Sequence, residues 1–425
     1  MAQGKPVAGE PAHVTMTVTG TGPGRAGRVR WSWLWGHRRD LAFNLLPFWL
    51  GYALLAALFL TRQGGEGADP HWVASFGGRS FDIMVIAAML YGPLVDGPHL
   101  WATIARTYTD AKEWAIRRIL FLTSLLAFAV GPVVILIPYL INMVIPLPRQ
   151  MLDWGWIAWT LGFSLIVIHH INQQHWGFVS LYKRKNAETD PRERRVDQVY
   201  FLTALWSPYV AMITAPWSDP RQAGTGISLA SAFVFSTCHV VFLAASAAYV
   251  IHQVQLWRRG ETLNGPKLLY IATVAPLYYL TFAVDPRLAA FWVFVTGTGH
   301  CAQYHGVVWA YGEKRYASAD ADKRSLPHMI FSNVWVYVVL GVVFALVTLQ
   351  GPGAGRVEHI VGTWLQTSVF ANVFSFLDPA KGNWLGIQLI AAMVSGVRLH
   401  HFYVDSKIWK VSKSKALAKD LSVAA

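Results

Sequence analysis

Residues 170–175 read His-Ile-Asn-Gln-Gln-His and residues 300–305 read His-Cys-Ala-Gln-Tyr-His, so the pattern His-x-x-Gln-x-His occurs twice. The first copy continues through Gly177 and Tyr182 to Lys183-Arg184-Lys185, the second through Gly306 and Tyr311 to Lys314-Arg315. Imidazole is the commonest side-chain metal ligand and titrates near neutral pH, so a recurring histidine spacing points first to a metal site. The recurrence reads as an internal duplication or as two parallel solutions to one ligand geometry. On an ideal α-helix, positions i and i+5 stand about 140° apart, a poor arrangement for two ligands of one ion. A π-bulge would bring them onto one face, and such bulges favour functional sites. His169 with Gln173 and His170 with Gln174 are i,i+4 pairs that already share a face. Gln173 and Gln303 suit a supporting role, fixing an imidazole tautomer or holding a bound water.

Two further groups extend the set. Asp96-Gly97-Pro98-His99 is expected to break a helix, and Arg398-Leu399-His400-His401-Phe402-Tyr403-Val404-Asp405 ends a long apolar run. His401 and Asp405 are i,i+4, close enough for a hydrogen bond or for ligation of one ion. The metal-ligand candidates are therefore Asp96, His99, His169, His170, His175, His300, His305, His400, His401 and Asp405. Gln173, Gln303, Tyr403 and Arg398 are the candidates for catalysis or substrate contact. Arg398 either snorkels to an interface or pairs with Asp405 or an acidic substrate. Tyr182, Tyr311 and Tyr403 are placed to line the site. His239 and His252 read as packing donors, and His13, His37, His71, His328 and His359 fall in tails or loops.

The elements that must position these groups follow from composition. Apolar residues make up 54% of the 425 and charged residues only 14%, with 20 tryptophans, against about 25% charged in a soluble domain. Such a chain cannot cover a soluble surface with charge, which excludes an ordinary soluble enzyme, a disordered chain and a nucleic-acid reader. Cys238 and Cys301 both lie in apolar runs, so no disulfide framework or Cys-x-x-Cys metal site exists. A hydrocarbon core about 30 Å thick takes about 20 apolar residues to cross as helix. The expected fold is therefore all-α, a polytopic membrane helix bundle with about ten transmembrane helices. The expected spans are 41–60, 81–95, 119–145, 156–181, 199–215, 227–252, 268–284, 288–311, 329–349 and 384–404. Segment 360–377 is apolar but interrupted by Gly, Gln, Thr, Ser and Asn, and reads as re-entrant or interfacial. Residues 1–40 are read as a partly disordered inner segment without a removable signal peptide, residues 41–404 as the transmembrane domain and residues 405–425 as a basic tail.

Charge orients the spans. With the N-terminus inside, 28 of the 36 Lys and Arg residues fall in inner segments, seven fall in outer loops, and Arg398 lies within the last span. This is the positive-inside bias, which places both termini in the cytoplasm and fits a bacterial cytoplasmic membrane. The net charge of +13 is then an orientation signal and a contact with anionic lipid, and needs no nucleic-acid partner. The eight histidines of the four groups all lie at the ends of even-numbered spans, hence at one face, although histidine played no part in setting the topology. Ionisable groups at membrane depth are costly and mark function by default.

Imidazole with a few carboxylates suits iron, zinc or copper. One zinc takes three or four ligands, whereas eight histidines suit two metals. In this clustering the sequence resembles the histidine-box integral-membrane oxygenases: fatty-acid desaturases, hydroxylases and alkane monooxygenases. Their His-x-x-x-His and His-x-x-His-His boxes are absent here and they have fewer spans, so the resemblance covers the class of site and not an alignment. It implies two non-haem irons, dioxygen chemistry on an inert C–H bond, and a lipid-soluble substrate such as an acyl chain, isoprenoid, sterol or carotenoid. Electrons would come from a cytoplasmic donor such as a ferredoxin, steered to the basic inner loops. Three alternatives stay open: a bis-histidine haem protein for electron transfer, a transporter with a proton relay, and a metal-independent lipid transferase with one histidine as general base.

Overall fold

The computed structural model describes residues 28–60, 73–76, 79–82, 87, 90–215, 226–284, 291–317, 322–348 and 384–423. The 360–377 segment and residues 1–27 lie outside the described residues. The protein is all-helical. The long helices are α1 (His37–Leu60, with a π turn at Leu41–Leu45), α2 (a π turn at Gly92–Asp96 running into Gly97–Thr107) and α3 (Ala111–Asn142). They continue with α4 (Trp154–Lys185), α5 (Pro191–Ile213), α6 (Gly226–Arg258) and α7 (Gly265–Val284). The set closes with α8 (a π turn at Val293–Gly297 running into Thr298–Tyr316), α9 (Val334–Val347) and α10 (Trp384–Ile408). Five of them are long and apolar enough to cross a membrane: α1, α3, α4 with the short helix before it, α6 and α7. Two small sheets complete the description: β1 (Val29–Arg30) parallel to β4 (Leu263–Asn264), and a hairpin of β2 (Val73–Phe76) and β3 (Arg79–Asp82).

Local sequence explains where the helices begin. Asp110, Asp190, Asn264 and Asn333 each accept a hydrogen bond from a backbone N–H in the following turn, capping α3, α5, α7 and α9. Short polar side chains satisfy the orphan N–H groups of a first turn. Pro191 and Pro266 stand within the first two positions after their caps, where the missing N–H costs nothing.

The second element departs from expectation. Residues 79–82 are strand, and the helix runs unbroken through Asp96-Gly97-Pro98 to Thr107. The π turn at Gly92–Asp96 accommodates Pro98, whose ring would otherwise press on the preceding turn. His99 consequently lies inside a buried helix rather than at its end.

The end of the bundle where Lys185, Tyr316 and Ile408 lie is tied by buried charge. Lys183 Nζ donates to Asp197 at 2.5 Å and to Glu188 at 2.8 Å, Lys267 Nζ donates to the same two carboxylates at 3.1 and 2.9 Å, and the Tyr249 hydroxyl donates to Asp197 at 2.7 Å. One carboxylate thus joins α4, α5, α6 and α7. The chain after α10 folds back onto this end, burying Leu417, Ala418, Leu421 and Val423. Lys314 Nζ donates to the Lys419 carbonyl at 2.6 Å and Arg184 Nε to that of Val423 at 3.0 Å. The basic tail is packed structure, because its apolar residues at i, i+1 and i+4 supply a face to bury.

Close helix approach depends on glycine at several places, two of them beside the site. A Cβ at Gly97 would overlap the Cβ of Ala345 on α9, and one at Gly299 would overlap the Phe48 ring of α1. Both glycines neighbour histidines of the site.

Candidate metal centre

Four helices each bring one histidine to a common point: His99 from α2, His170 from α4, His300 from α8 and His401 from α10. The rings form a closed circuit. His99 lies 4.7 Å from His300 and 4.6 Å from His401, and His170 lies 5.3 Å from His300 and 5.0 Å from His401, measured between centroids. His99, His300 and His401 are buried, and His170 is half-buried at the edge. Two triads, His99–His170–His300 and His170–His401–Asp405, each present ligand atoms within 4.8 Å of one another.

The π turns place two of these rings. Each ends three residues ahead of its histidine, Gly92–Asp96 before His99 and Val293–Gly297 before His300. An inserted residue rotates everything after it about the helix axis, and here the rotation turns His99 and His300 toward each other. The His-x-x-Gln-x-His segments themselves are regular α-helix, so the first and last histidine of each copy face different neighbours, as 140° of separation requires.

Polar atoms without partners converge at the same point. Both ring nitrogens of His99, Nε2 of His170, Nδ1 of His300 and Nε2 of His401 are buried and have no hydrogen-bond partner among the described residues. Leaving one buried polar atom unsatisfied costs about 1–3 kcal/mol. One nitrogen from each of the four touching imidazoles fits a metal ion as a shared partner; the two His99 nitrogens point in diverging directions, so only one of them can face it. His401 is held for that role from behind: its Nδ1–H reaches Thr103 Oγ1 at 2.7 Å, and the Thr103 hydroxyl donates to Asp405 Oδ1 at 2.8 Å. Tyr304 donates to the same carboxylate oxygen at 2.6 Å. A proton fixed on Nδ1 leaves the Nε2 lone pair directed at the other rings.

The remaining candidates lie elsewhere. His175 accepts or donates to tyrosine on both sides, Nδ1 to Tyr270 at 2.7 Å and Nε2 to Tyr278 at 2.9 Å. His305 Nδ1 bonds Tyr337 at 2.8 Å and His400 Nε2 bonds Tyr108 at 2.7 Å. His169 is exposed on α4, with its ring beside Trp206. Asp96 is taken up by an ion pair with Arg398, so Arg398 pairs with neither Asp405 nor a free surface. Gln303 bonds Tyr270 and His175. Gln173 is exposed and lines a cavity, while Gln174, one position on, donates to the His300 carbonyl at 2.9 Å and ties α4 to α8. Tyr403 is exposed in the same cavity wall. His239 bonds Tyr279 and His252 pairs with Glu193, both consistent with packing roles.

That cavity, about 1,110 Å³, lies between α3, α4 and α10, with His170, Tyr304 and Asp405 in its wall. One end is apolar, bounded by Leu126, Val130 and Ile166; the other reaches Arg184, Arg194 and Lys410. Molecules entering it meet the histidine cluster from the side.

Sequence reasoning missed Thr103 and Tyr304, and noted Gln174 only as sharing a face with His170. A signal for Tyr304 and Gln174 was present: they occupy the same fifth position of the repeated segment, one turn beyond the histidine that joins the cluster, and so share its face. Thr103 had no such signal, because it lies one turn beyond His99 in a stretch expected to lie beyond the helix. The chain matches no protein-family model, no curated protein and no solved structure.

Proposed function

We propose that this protein is a membrane-embedded, metal-dependent oxidoreductase that acts on a lipid-soluble substrate at the cytoplasmic face of a bacterial membrane. The observation that carries the reading is the set of unpartnered nitrogens on His99, His170, His300 and His401 beside Asp405, with His170 and Asp405 in the wall of an apolar-ended cavity. A nitrogen-rich set with one carboxylate and no thiolate suits iron, with copper and zinc as competitors. Four imidazoles giving one nitrogen each, with the Asp405 carboxylate, are the complement of one ion; a second iron would share His170 between the two triads or draw His175, His305 or His400 away from their tyrosines. Four imidazoles crowded against one another leave no slot for a porphyrin between opposing rings, which favours a non-haem centre over haem.

Bound iron supplies electron transfer and dioxygen chemistry toward an inert C–H bond. The chain supplies the rest. His170 and Asp405 bring the centre to the cavity wall, Thr103 holds the His401 proton away from it, and apolar residues from α3 and α4 exclude water from the chain of the substrate. Electrons come from a cytoplasmic donor attracted to the basic inner loops. The ten-span, both-termini-inside topology belongs to this reading and rests on the lysine and arginine bias.

Elemental analysis of detergent-purified protein, with an optical spectrum, tests it. One non-haem iron per chain, lost in His99→Ala and in His401→Ala, is the expected result, and two would restore the di-iron form of the reading. A Soret band would replace it with the haem alternative, and metal-free protein that is active in cells would leave the transferase or transporter.

A further inference from the structure

The cavity is polarised along its length. On α4 alone its wall runs from Ile166 through His170, Gln174 and Gly177 to Arg184, a rise of about 27 Å at 1.5 Å per residue. Its apolar end is formed with Leu126 and Val130, both exposed on the outside of the bundle, where a membrane-spanning helix meets acyl chains. Its other end holds Arg184, Arg194 and Lys410. Of the two acidic residues in the wall, Glu188 is engaged by Lys183 and Lys267, and Asp405 sits at the histidine cluster. Arg184, Arg194 and Lys410 have no carboxylate partner among the described residues. Arg194 and Lys410 are exposed, and Arg184 uses Nε on the Val423 carbonyl.

We infer that the cavity takes a long-chain amphiphile with an anionic headgroup, carboxylate or phosphate, in one orientation. The headgroup lies among Arg184, Arg194 and Lys410, and the chain passes His170 and Asp405 on its way to the apolar end. Charge complementarity selects the headgroup, since an anion there finds three uncompensated cations, and Arg offers paired N–H donors to it. Length selects the chain. His170 is 14 residues from Arg184 along α4, about 21 Å, so only a long acyl or isoprenoid tail places a carbon beside the cluster while its head remains at the basic end. This inference rests on the metal-centre reading for its chemistry and on the cavity alone for its binding.

The test uses full-length protein in neutral detergent and a stearate spin-labelled near its methyl end, with its methyl ester as the uncharged control. The immobilised fraction of the electron paramagnetic resonance spectrum reports binding. The acid is expected to bind roughly tenfold or more tightly than the ester, the scale of a charge-assisted contact. Arg194→Gln with Lys410→Gln, both at exposed positions, removes two of the three cations and is expected to cut that preference severalfold while leaving ester binding unchanged. Gly177→Leu is expected to weaken acid and ester alike; a Cβ at Gly177 meets nothing within 4 Å, so the added side chain fills the cavity without disturbing the helix. Equal binding of acid and ester, an acid preference undiminished by the double substitution, or unchanged binding in Gly177→Leu would each overturn the inference. So would displacement of the acid by inorganic phosphate as effective as by unlabelled stearate, since the chain would then contribute nothing. Metal content measured on the same preparations separates the two claims. Metal retained without acid preference sinks the substrate class alone, and acid preference without metal sinks the metal reading alone.

Discussion

His99 packs against His401 with ring centroids 4.6 Å apart and planes at 76°, although one belongs to the second long helix and the other to the tenth. Neither His99 nitrogen, nor Nε2 of His401, has a hydrogen-bond partner among the described residues. Two imidazoles gain little by such contact alone, and burying three unpaired nitrogens is costly. The arrangement makes physical sense when a cation joins one nitrogen of each ring.

Ligand and bystander histidines are expected to separate cleanly. Replacing His99, His170, His300 or His401 singly by alanine should lower metal occupancy to a small fraction, whereas His169→Ala should retain it in full. His175→Leu should also keep the metal but lower stability by about 1–3 kcal/mol, because it strands the Tyr270 and Tyr278 hydroxyls. Iron determination paired with thermal unfolding in detergent checks all six. Equal metal loss in His175→Leu and His99→Ala would contradict the assignment.

Thr103→Val preserves shape and removes the hydroxyl that links His401 to Asp405. Loss of such a supporting contact typically lowers metal affinity about 10–100-fold. Chelator competition reads the change. Because Tyr304 donates to the same Asp405 oxygen, Thr103→Val combined with Tyr304→Phe should be non-additive; additive effects would mean that the two act on separate targets.

Asp197 holds two buried lysines from different helices, so Asp197→Ala should be among the most damaging single changes away from the centre. Removing one partner of a buried pair costs about 3–5 kcal/mol. Tyr249→Phe, which deletes one hydrogen bond to the same carboxylate, should cost about 1.5–3 kcal/mol. Denaturant titration in detergent should reproduce that order, with metal content of the folded fraction unchanged.

Glycine substitutions should divide by what a Cβ would meet. Gly299→Ala forces a methyl group against Phe48 and shifts α8 beside His300, costing about 1–3 kcal/mol and lowering iron content. Gly162→Ala on α4 meets nothing within 4 Å and should be neutral or stabilising by up to about 1 kcal/mol. A destabilised Gly162→Ala alongside an unaffected Gly299→Ala would show that α1 and α8 do not pack as described.

Much of the architecture is written in composition. A chain with 54% apolar and 14% charged residues has no means of covering a soluble surface, and helix is one of only two ways to satisfy a backbone in hydrocarbon. The lysine and arginine bias predicts that the four histidine groups lie on one side, and the four histidines that meet all belong to those groups. Selection within each group was decided by tertiary structure. His170 rather than His169 or His175, His300 rather than His305, and His401 rather than His400 face the centre, because helix rotation depends on packing partners and on the two π turns ahead of His99 and His300. A π turn leaves no local mark that distinguishes it from the α-helix it interrupts, and a threonine such as Thr103 becomes part of a site only when another helix brings a histidine to it. Composition sets the environment in which a residue lies; only the packed bundle sets the direction in which it points.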